Sequence, residues 1–275
     1  MAFVIPRKRE YWGRDIQNRP YEINWSNPHS KGLAVAVVAG REIAAGFDWT
    51  ADTTSIDGID LKALDNTVNA YIQEPLLKTA NGSGTGDFSL FINARLTAAD
   101  GTVSNLVGNK NDAAGSPFSQ GFIGAHMNSG GGYSVDEIGF FTFSGGTSST
   151  TIASAVDTTI YQDICSTRAG SLMSLYVDDQ TSTASPTVRN ITGSDPRFIM
   201  GHSGKATNED AGDFLSPISL AWDRALSQDE YNDLRVNPYQ VLKPQRKYWV
   251  LPSEGVVTTS PSNPLRGPIS MRGPI

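Results

Sequence analysis

Paired carboxylates are the first chemistry to seek in this chain. Retaining glycoside hydrolysis needs two carboxyl groups about 5–5.5 Å apart, which on a strand means acids spaced to share one face. The nearest candidate is Val135-Asp136-Glu137-Ile138-Gly139-Phe140-Phe141. Its two acids are adjacent, so they point to opposite faces, and no third acid follows. His29, His126 and His202 lie far apart, with no Cys or His at zinc-ligand spacing. The single cysteine, Cys165, cannot close an internal disulfide and sits between Ile164 and Ser166 in a strand-like run, the setting of an inert buried thiol. No Gly-x-Ser-x-Gly, phosphate-binding loop or dinucleotide fingerprint is present. An enzyme is not expected.

Binding chemistry is better represented. Asn208-Glu209-Asp210-Ala211-Gly212-Asp213 crowds oxygen donors into one loop, so Asp210 and Asp213 are candidate ligands for a hard cation. A solvated acidic turn is the competing reading, since the spacing is not that of an EF-hand. Tyr133, in a Gly/Ser-rich stretch, is the candidate aromatic for stacking on a sugar. Trp49, Trp222 and most phenylalanines read as core.

Charge is unevenly spread. Residues 1–19 hold Arg7, Lys8, Arg9, Arg14 and Arg19 against Glu10 and Asp15, a net +3. Residues 243–275 hold Lys243, Arg246, Lys247, Arg266 and Arg272 against Glu254, a net +4. With a chain total of −6, the stretch between them carries −13. Arg7, Lys8, Arg9, Arg246, Lys247, Arg266 and Arg272 are therefore candidates for docking on an acidic protein surface. The arms lack the dense cations and interleaved aromatics of a nucleic-acid binder, so nucleic acid is not the expected partner. No apolar run approaches the ~20 residues of a membrane span, and the N-terminus is the reverse of a secretory signal. A chain without disulfides suits assembly in a reducing cytosol.

The elements positioning these residues read as β. Charged residues make up only 18% of the 275, and the 27 glycines fall in turn clusters between short runs. Gly32–Ala39 reads as a buried first strand and Ile56–Ile72 as an irregular strand pair. In Asp87–Leu96, Phe88, Leu90, Ile92, Ala94 and Leu96 alternate with mostly polar residues, the period of a half-buried strand. Further strands are predicted at Val103–Gly108, Gln120–His126, Ile138–Phe143, Thr158–Thr167, Ser171–Val177 and Phe198–Met200, the spacing of an antiparallel jelly-roll β-sandwich. One short helix is predicted after Ser227, with Glu230 completing a capping box, Tyr231, Leu234 and Val236 following, and Asn237-Pro238 stopping it. Prolines in residues 1–29, with Tyr11, Trp12, Tyr21 and Trp25 among them, predict an extended arm whose aromatics seek burial. After Trp249 the composition turns Pro/Gly-rich, and Leu265-Arg266-Gly267-Pro268-Ile269 is nearly repeated by Met271-Arg272-Gly273-Pro274-Ile275. The organisation predicted is an N-terminal arm over 1–29, one domain over 30–250 and a C-terminal arm over 251–275.

Several segments resemble, in order, LamG-like members of the concanavalin A-like lectin/glucanase jelly rolls. Phe88–Leu96, Leu172–Asp179 and Phe198–Gly201 are similar to three strands of that family, and Gly212–Ser227 resembles its closing strand and the start of its short helix. Tyr161-Gln162-Asp163-Ile164 departs from the aromatic-His-His strand found there. Ile23-Asn24-Trp25-Ser26-Asn27-Pro28 and Asn237-Pro238-Tyr239-Gln240 resemble the opening and ending of LamG-like proteins encoded among phage and prophage structural genes. The resemblance implies a concanavalin A-like fold, and calcium as the cation for Asp210 and Asp213. It also implies a phage virion structural protein made in the host cytoplasm: a capsid decoration, collar or tail accessory protein that binds neighbouring capsid, collar or tail subunits. A homo-oligomer, by analogy a trimer, goes with it. A tail-fibre receptor-binding or glycan-binding module is the alternative, and a glycan hydrolase on the same fold is a third.

Overall fold

The structure is a computed structural model, and it describes residues 21–39, 48–52, 61–65, 72–75, 86–98, 103–108, 120–127, 137–144, 147–155, 157–188, 197–200 and 213–244. Its central pair is β6 (Phe88–Ala98) and β15 (Asp213–Trp222), antiparallel from Asp213↔Ala98 to Trp222↔Ser89. Around them run β2 (Leu33–Val38), β3 (Asp48–Asp52), β4 (Leu61–Asp65), β11 (Gln162–Ala169), β12 (Leu172–Val177) and β13 (Gln180–Ala184). Together they form an eight-stranded sheet in the order β13-β12-β11-β6-β15-β4-β3, with β2 also paired to β15.

The second sheet comprises β5 (Ile72–Pro75), β7 (Val103–Gly108), β8 (Gln120–Met127), β9 (Glu137–Ser144), β10 (Thr147–Ala155) and β14 (Arg197–Met200), in the order β10-β9-β8-β7-β14-β5. The pairings are antiparallel throughout. Of the predicted pair over Ile56–Ile72 the described residues hold β4 alone; β5 only begins at Ile72 and belongs to the other sheet, and the rest of the range lies outside the described residues.

Alternation in β6 does what its pattern predicts. Phe88, Leu90, Ile92, Ala94 and Leu96 join Ile138, Phe140, Ile164, Met173 and Leu175 in the core between the sheets. Phe88 and Phe140 meet edge to face across it, centroids 5.9 Å apart. Burying such side chains is the main term favouring the fold, roughly 1.5–3 kcal/mol each. Arg168 reaches the same layer, with its guanidinium 4.9 Å from the Phe88 centroid and donating to the Gly86 carbonyl. Burial lowers its pKa to about 10 against the opposing pull of Asp87.

The opposite face of the eight-stranded sheet is also covered. Phe91, Cys165, Tyr176, Ile218, Leu220 and Trp222 lie under Tyr231, Leu234, Tyr239, Val241 and Leu242. A bulge between Leu215 and Ile218 lets β15 feed both layers. Before it Phe214 points to the inter-sheet core, and after it Ala221 does, while Ile218, Leu220 and Trp222 face outward. Pro217 sits at this shift, where a missing N–H costs the ladder least, and its carbonyl accepts from the Ala39 N–H.

The covering layer is made by the chain's two ends. β1 (Tyr21–Ile23) pairs antiparallel with β16 (Leu242–Pro244), so Tyr21 lies opposite Pro244 and Ile23 opposite Leu242. Between them in sequence comes α1 (Gln228–Val236), followed by a 3-10 turn, Pro238–Val241. Ser227 caps α1 as predicted: its Oγ accepts from the Glu230 N–H, and the Glu230 carboxylate accepts from the Ser227 N–H. Tyr231 and Leu234 are buried, but Val236 is 74% exposed, because the helix ends there and the chain turns back at Asn237. Trp25 is also exposed, at 67%, against the expectation that the lead-in aromatics bury; Tyr21 does pack on the sheet. No described helix is long and apolar enough to cross a membrane.

Candidate functional site

The described residues place two polar clusters on the covered side of the eight-stranded sheet. The first locks α1 to the lead-in. Arg224 donates to both carboxylate oxygens of Glu230, at 2.9 and 2.7 Å, and its Nε donates to the Lys31 carbonyl at 2.6 Å. Hydrogen bonds from Arg224, then from Ser227, pull the Glu230 carboxyl down to about 2 against a burial term that raises it. His29, on the 3-10 turn Pro28–Ser30, sets Nε2 3.3 Å from Asp233 Oδ2, and its carbonyl accepts from Trp222 Nε1 at 2.7 Å.

The second cluster joins β6, β11 and the turn after β12. Asn93 Nδ2 donates to Asp163 Oδ1 at 2.7 Å. The Asp178 carboxylate accepts from Gln162 Nε2 and from the Asp163 N–H. The Tyr231 hydroxyl lies 2.8 Å from the Asp163 carbonyl and 3.1 Å from that of Asp178. Burial, with Asp163 and Cys165 nearby, raises the Tyr231 phenol well above its ordinary range. These acids orient backbone and amide groups. Cys165 is fully buried, and burial followed by the charge of Asp163 raises its thiol far above the usual range.

The six-stranded sheet has a second face away from the eight-stranded sheet, and Gly139 and Phe141 on it are buried, Phe141 at 6% exposure. Ile138 and Phe140 point into the core and the Thr142 hydroxyl contacts the Met173 sulfur, so Gly139 and Phe141 lie on the outward side. Phe141 folds over Gly139 so closely that a Cβ there would collide with its ring. Register places Ile123 of β8 and Thr150 of β10 on either side of Phe141, with Ala125 and Ile152 flanking Gly139.

Most of the candidates from sequence fall elsewhere. Tyr133, Asp210, Arg7, Lys8, Arg9, Arg246, Lys247, Arg266 and Arg272 lie outside the described residues, and Asp213 opens β15 opposite Ala98. Among the described residues no group of three or more His, Cys, Asp or Glu is placed to hold a metal ion.

No family model matches the chain, and no curated protein does. Solved structures do. The chain is similar to the binding domain of Paraclostridial Mosquitocidal Protein 1, with TM-score 0.55 and 16% identity over 75% of this chain and 52% of that one. The fold is a lectin-like β-sandwich. Trypanosoma rangeli sialidase in complex with the inhibitor DANA matches with TM-score 0.50 and 13% identity over 76% of this chain and 33% of that one. The Ruminococcus gnavus IT-sialidase CBM40 bound to alpha2,3 sialyllactose matches at 0.47 and 14%, over 62% and 95%. The sandwich therefore spans about half of the first relative and a third of the second. At these identities the likeness speaks to fold and not to chemistry.

The residues that sequence reasoning missed are the two short strands of the covering layer. Tyr21–Ile23 and Leu242–Pro244 are too short to show periodicity, and their pairing joins positions more than 200 residues apart. Asn27, Asn237 and Ser227, each accepting backbone N–H groups at the start of a turn or helix, were the available signal.

Proposed function

We propose that this chain is a non-catalytic binding module, tethered by its two terminal arms and recognising a glycan away from the side that its own ends cover. One observation carries the reading: Tyr21 pairs with Pro244, so the points where the two arms join the sandwich are neighbours on the covered side. Recognition is then assigned to the side of the sandwich away from β1 and β16. Likeness to the binding domain of Paraclostridial Mosquitocidal Protein 1 supports a binding role for such a sandwich. The engagement of Glu230, Asp163 and Asp178 in structural hydrogen bonds supports a role without catalysis.

The tether we assign to a phage particle, on the resemblance of the chain's opening and ending to phage structural proteins. A second reading, capsid decoration or collar/tail accessory protein without a sugar ligand, draws on the same shared exit. Basic arms of +3 each, over residues 1–19 and 245–275, joined to the sandwich at neighbouring points, offer a combined docking element for an acidic neighbour.

The full-length protein should be screened on sialylated and bacterial-surface glycans, with reducing-sugar release monitored on every ligand found. Saturable glycan binding without sugar release is expected. Binding to phage heads lacking the protein, with no glycan bound, would replace this reading with decoration. Release of reducing ends would restore the hydrolase.

A further inference from the structure

The exposed Trp25 stands on a firmly held turn. The Asn27 N–H donates to the Asn24 carbonyl at 2.8 Å, and Ser26 Oγ donates to Asn24 Oδ1 at 2.6 Å. Asn24 in turn donates from its N–H to the Val241 carbonyl and from Nδ2 to the Gln240 carbonyl. Asn27 Nδ2 donates to Gln240 Oε1, and Gln240 Nε2 donates to the Asp233 carbonyl. One side chain, Gln240, thus joins the Trp25 turn to the last turn of α1. There Val236 is 74% exposed and the Asp233 carboxylate 66% exposed, with Asp229 exposed one turn earlier.

An indole held at 67% exposure on a backbone already ordered has little entropy left to lose on binding, and Trp is prominent among residues that dominate interfaces. Its surroundings specify the ligand. Aromatic faces take proline rings and guanidinium groups, and exposed carboxylates favour a cation. The chain itself carries that combination twice, in Leu265-Arg266-Gly267-Pro268-Ile269 and Met271-Arg272-Gly273-Pro274-Ile275.

We propose that the Trp25 turn and the exposed flank of α1 form a docking site for the Arg-Gly-Pro-Ile elements in the C-terminal arm of a second copy of this chain. One turn per chain faces two elements per arm, so at least one element has no seat on its own sandwich. Twenty residues lie between Pro244 and Leu265, and the twenty-one steps from one to the other span at most about 69–76 Å when extended, ample to reach a neighbour. Residues 245–275, net +3, also meet a body (20–244) carrying −12.

The test uses the full-length chain and a fluorescent peptide of residues 262–275. The peptide should bind full-length Arg266→Ala/Arg272→Ala, whose own elements are disabled, and bind at least tenfold more weakly when Trp25→Ala is added. Raised salt should weaken it. By sedimentation, the unmodified chain should self-associate, and Trp25→Ala and Arg266→Ala/Arg272→Ala should each shift that association at least tenfold without lowering the melting temperature. Combining the two should lose little more, as expected of residues that contact one another. Peptide binding indifferent to Trp25, absent peptide binding, or a chain monomeric at every concentration would each overturn the proposal. Glycan binding is a separate readout and should be untouched by Trp25→Ala, so the two ideas fail independently.

Discussion

Tyr231 stacks on Tyr176, ring centroids 5.0 Å apart, and places its hydroxyl between the carbonyls of Asp163 and Asp178. The helix is thereby tied to the sheet by a stack and by a hydrogen bond to buried backbone. Tyr231→Phe keeps the stack and leaves those carbonyls short of a donor, a loss of about 1–3 kcal/mol. Tyr231→Ala removes both and should cost about 3–5 kcal/mol. Urea unfolding of the two variants checks the order, with an unchanged slope expected. Equal midpoints for Tyr231→Phe and the parent would show that the hydroxyl gains nothing from its position.

The Arg224–Glu230 pair predicts an acid limb in stability. The folded-state pKa of Glu230 is depressed to about 2 from an ordinary 4.5, so folding binds fewer protons than unfolding. The pair's contribution is therefore fully present above the unfolded pKa and is lost as pH falls through the window from about 4.5 to about 2. Glu230→Gln should flatten that part of the stability profile and lower the plateau above pH 5. Arg224→Lys keeps the charge but not the two-pronged geometry, so it should fall between. Thermal melts from pH 2 to pH 7 read all three.

How much of this was legible follows from the range of each interaction. The helix at Ser227, the alternation of β6 and the burial of Trp222 are local or period-two signals, and all appear where sequence places them. β10 and β13 escaped because TSSTTIASA and QTSTA are polar runs that read as turn. The strand predicted from Thr158 starts instead at Gln162, because Asp157 accepts from the Thr159 N–H and closes a turn first. The exposure of Trp25 was illegible for another reason. Aromatic character predicts burial in general, while the hydrogen bonds from Asn24 and Asn27 to Gln240 that orient its turn arise from the far end of the chain.

Two glycines separate backbone strain from collision. Gly32 has φ +75°, and a Cβ there would strike the Asp223 carboxylate and lie 3.2 Å from Arg224 Cγ. Gly170 has φ +57° with nothing within 4 Å of such a Cβ. Gly170→Ala should cost only the left-handed backbone term, about 1–2 kcal/mol. Gly32→Ala should cost more, since Asp223, whose N–H donates to the Gly32 carbonyl at 2.9 Å, must also give way. Chemical denaturation of the pair measures the difference directly; an equal loss would mean that Asp223 swings aside freely.

Cys165 offers a probe of the covering layer as a whole. Its side chain is sealed under Tyr231 and Tyr176, and its thiol is held protonated by burial reinforced by Asp163. A thiolate is the reactive form, so an aromatic disulfide reagent should leave the native protein unlabelled even at pH 8. Labelling should appear only as the layer opens. Leu234→Ala, which empties a fully buried position in α1, should speed labelling in proportion to the stability it removes, provided opening and closing are fast relative to modification. If labelling speeds up far more than global unfolding does, then α1 and the β1–β16 pair detach from the sandwich as a unit before the sheets separate.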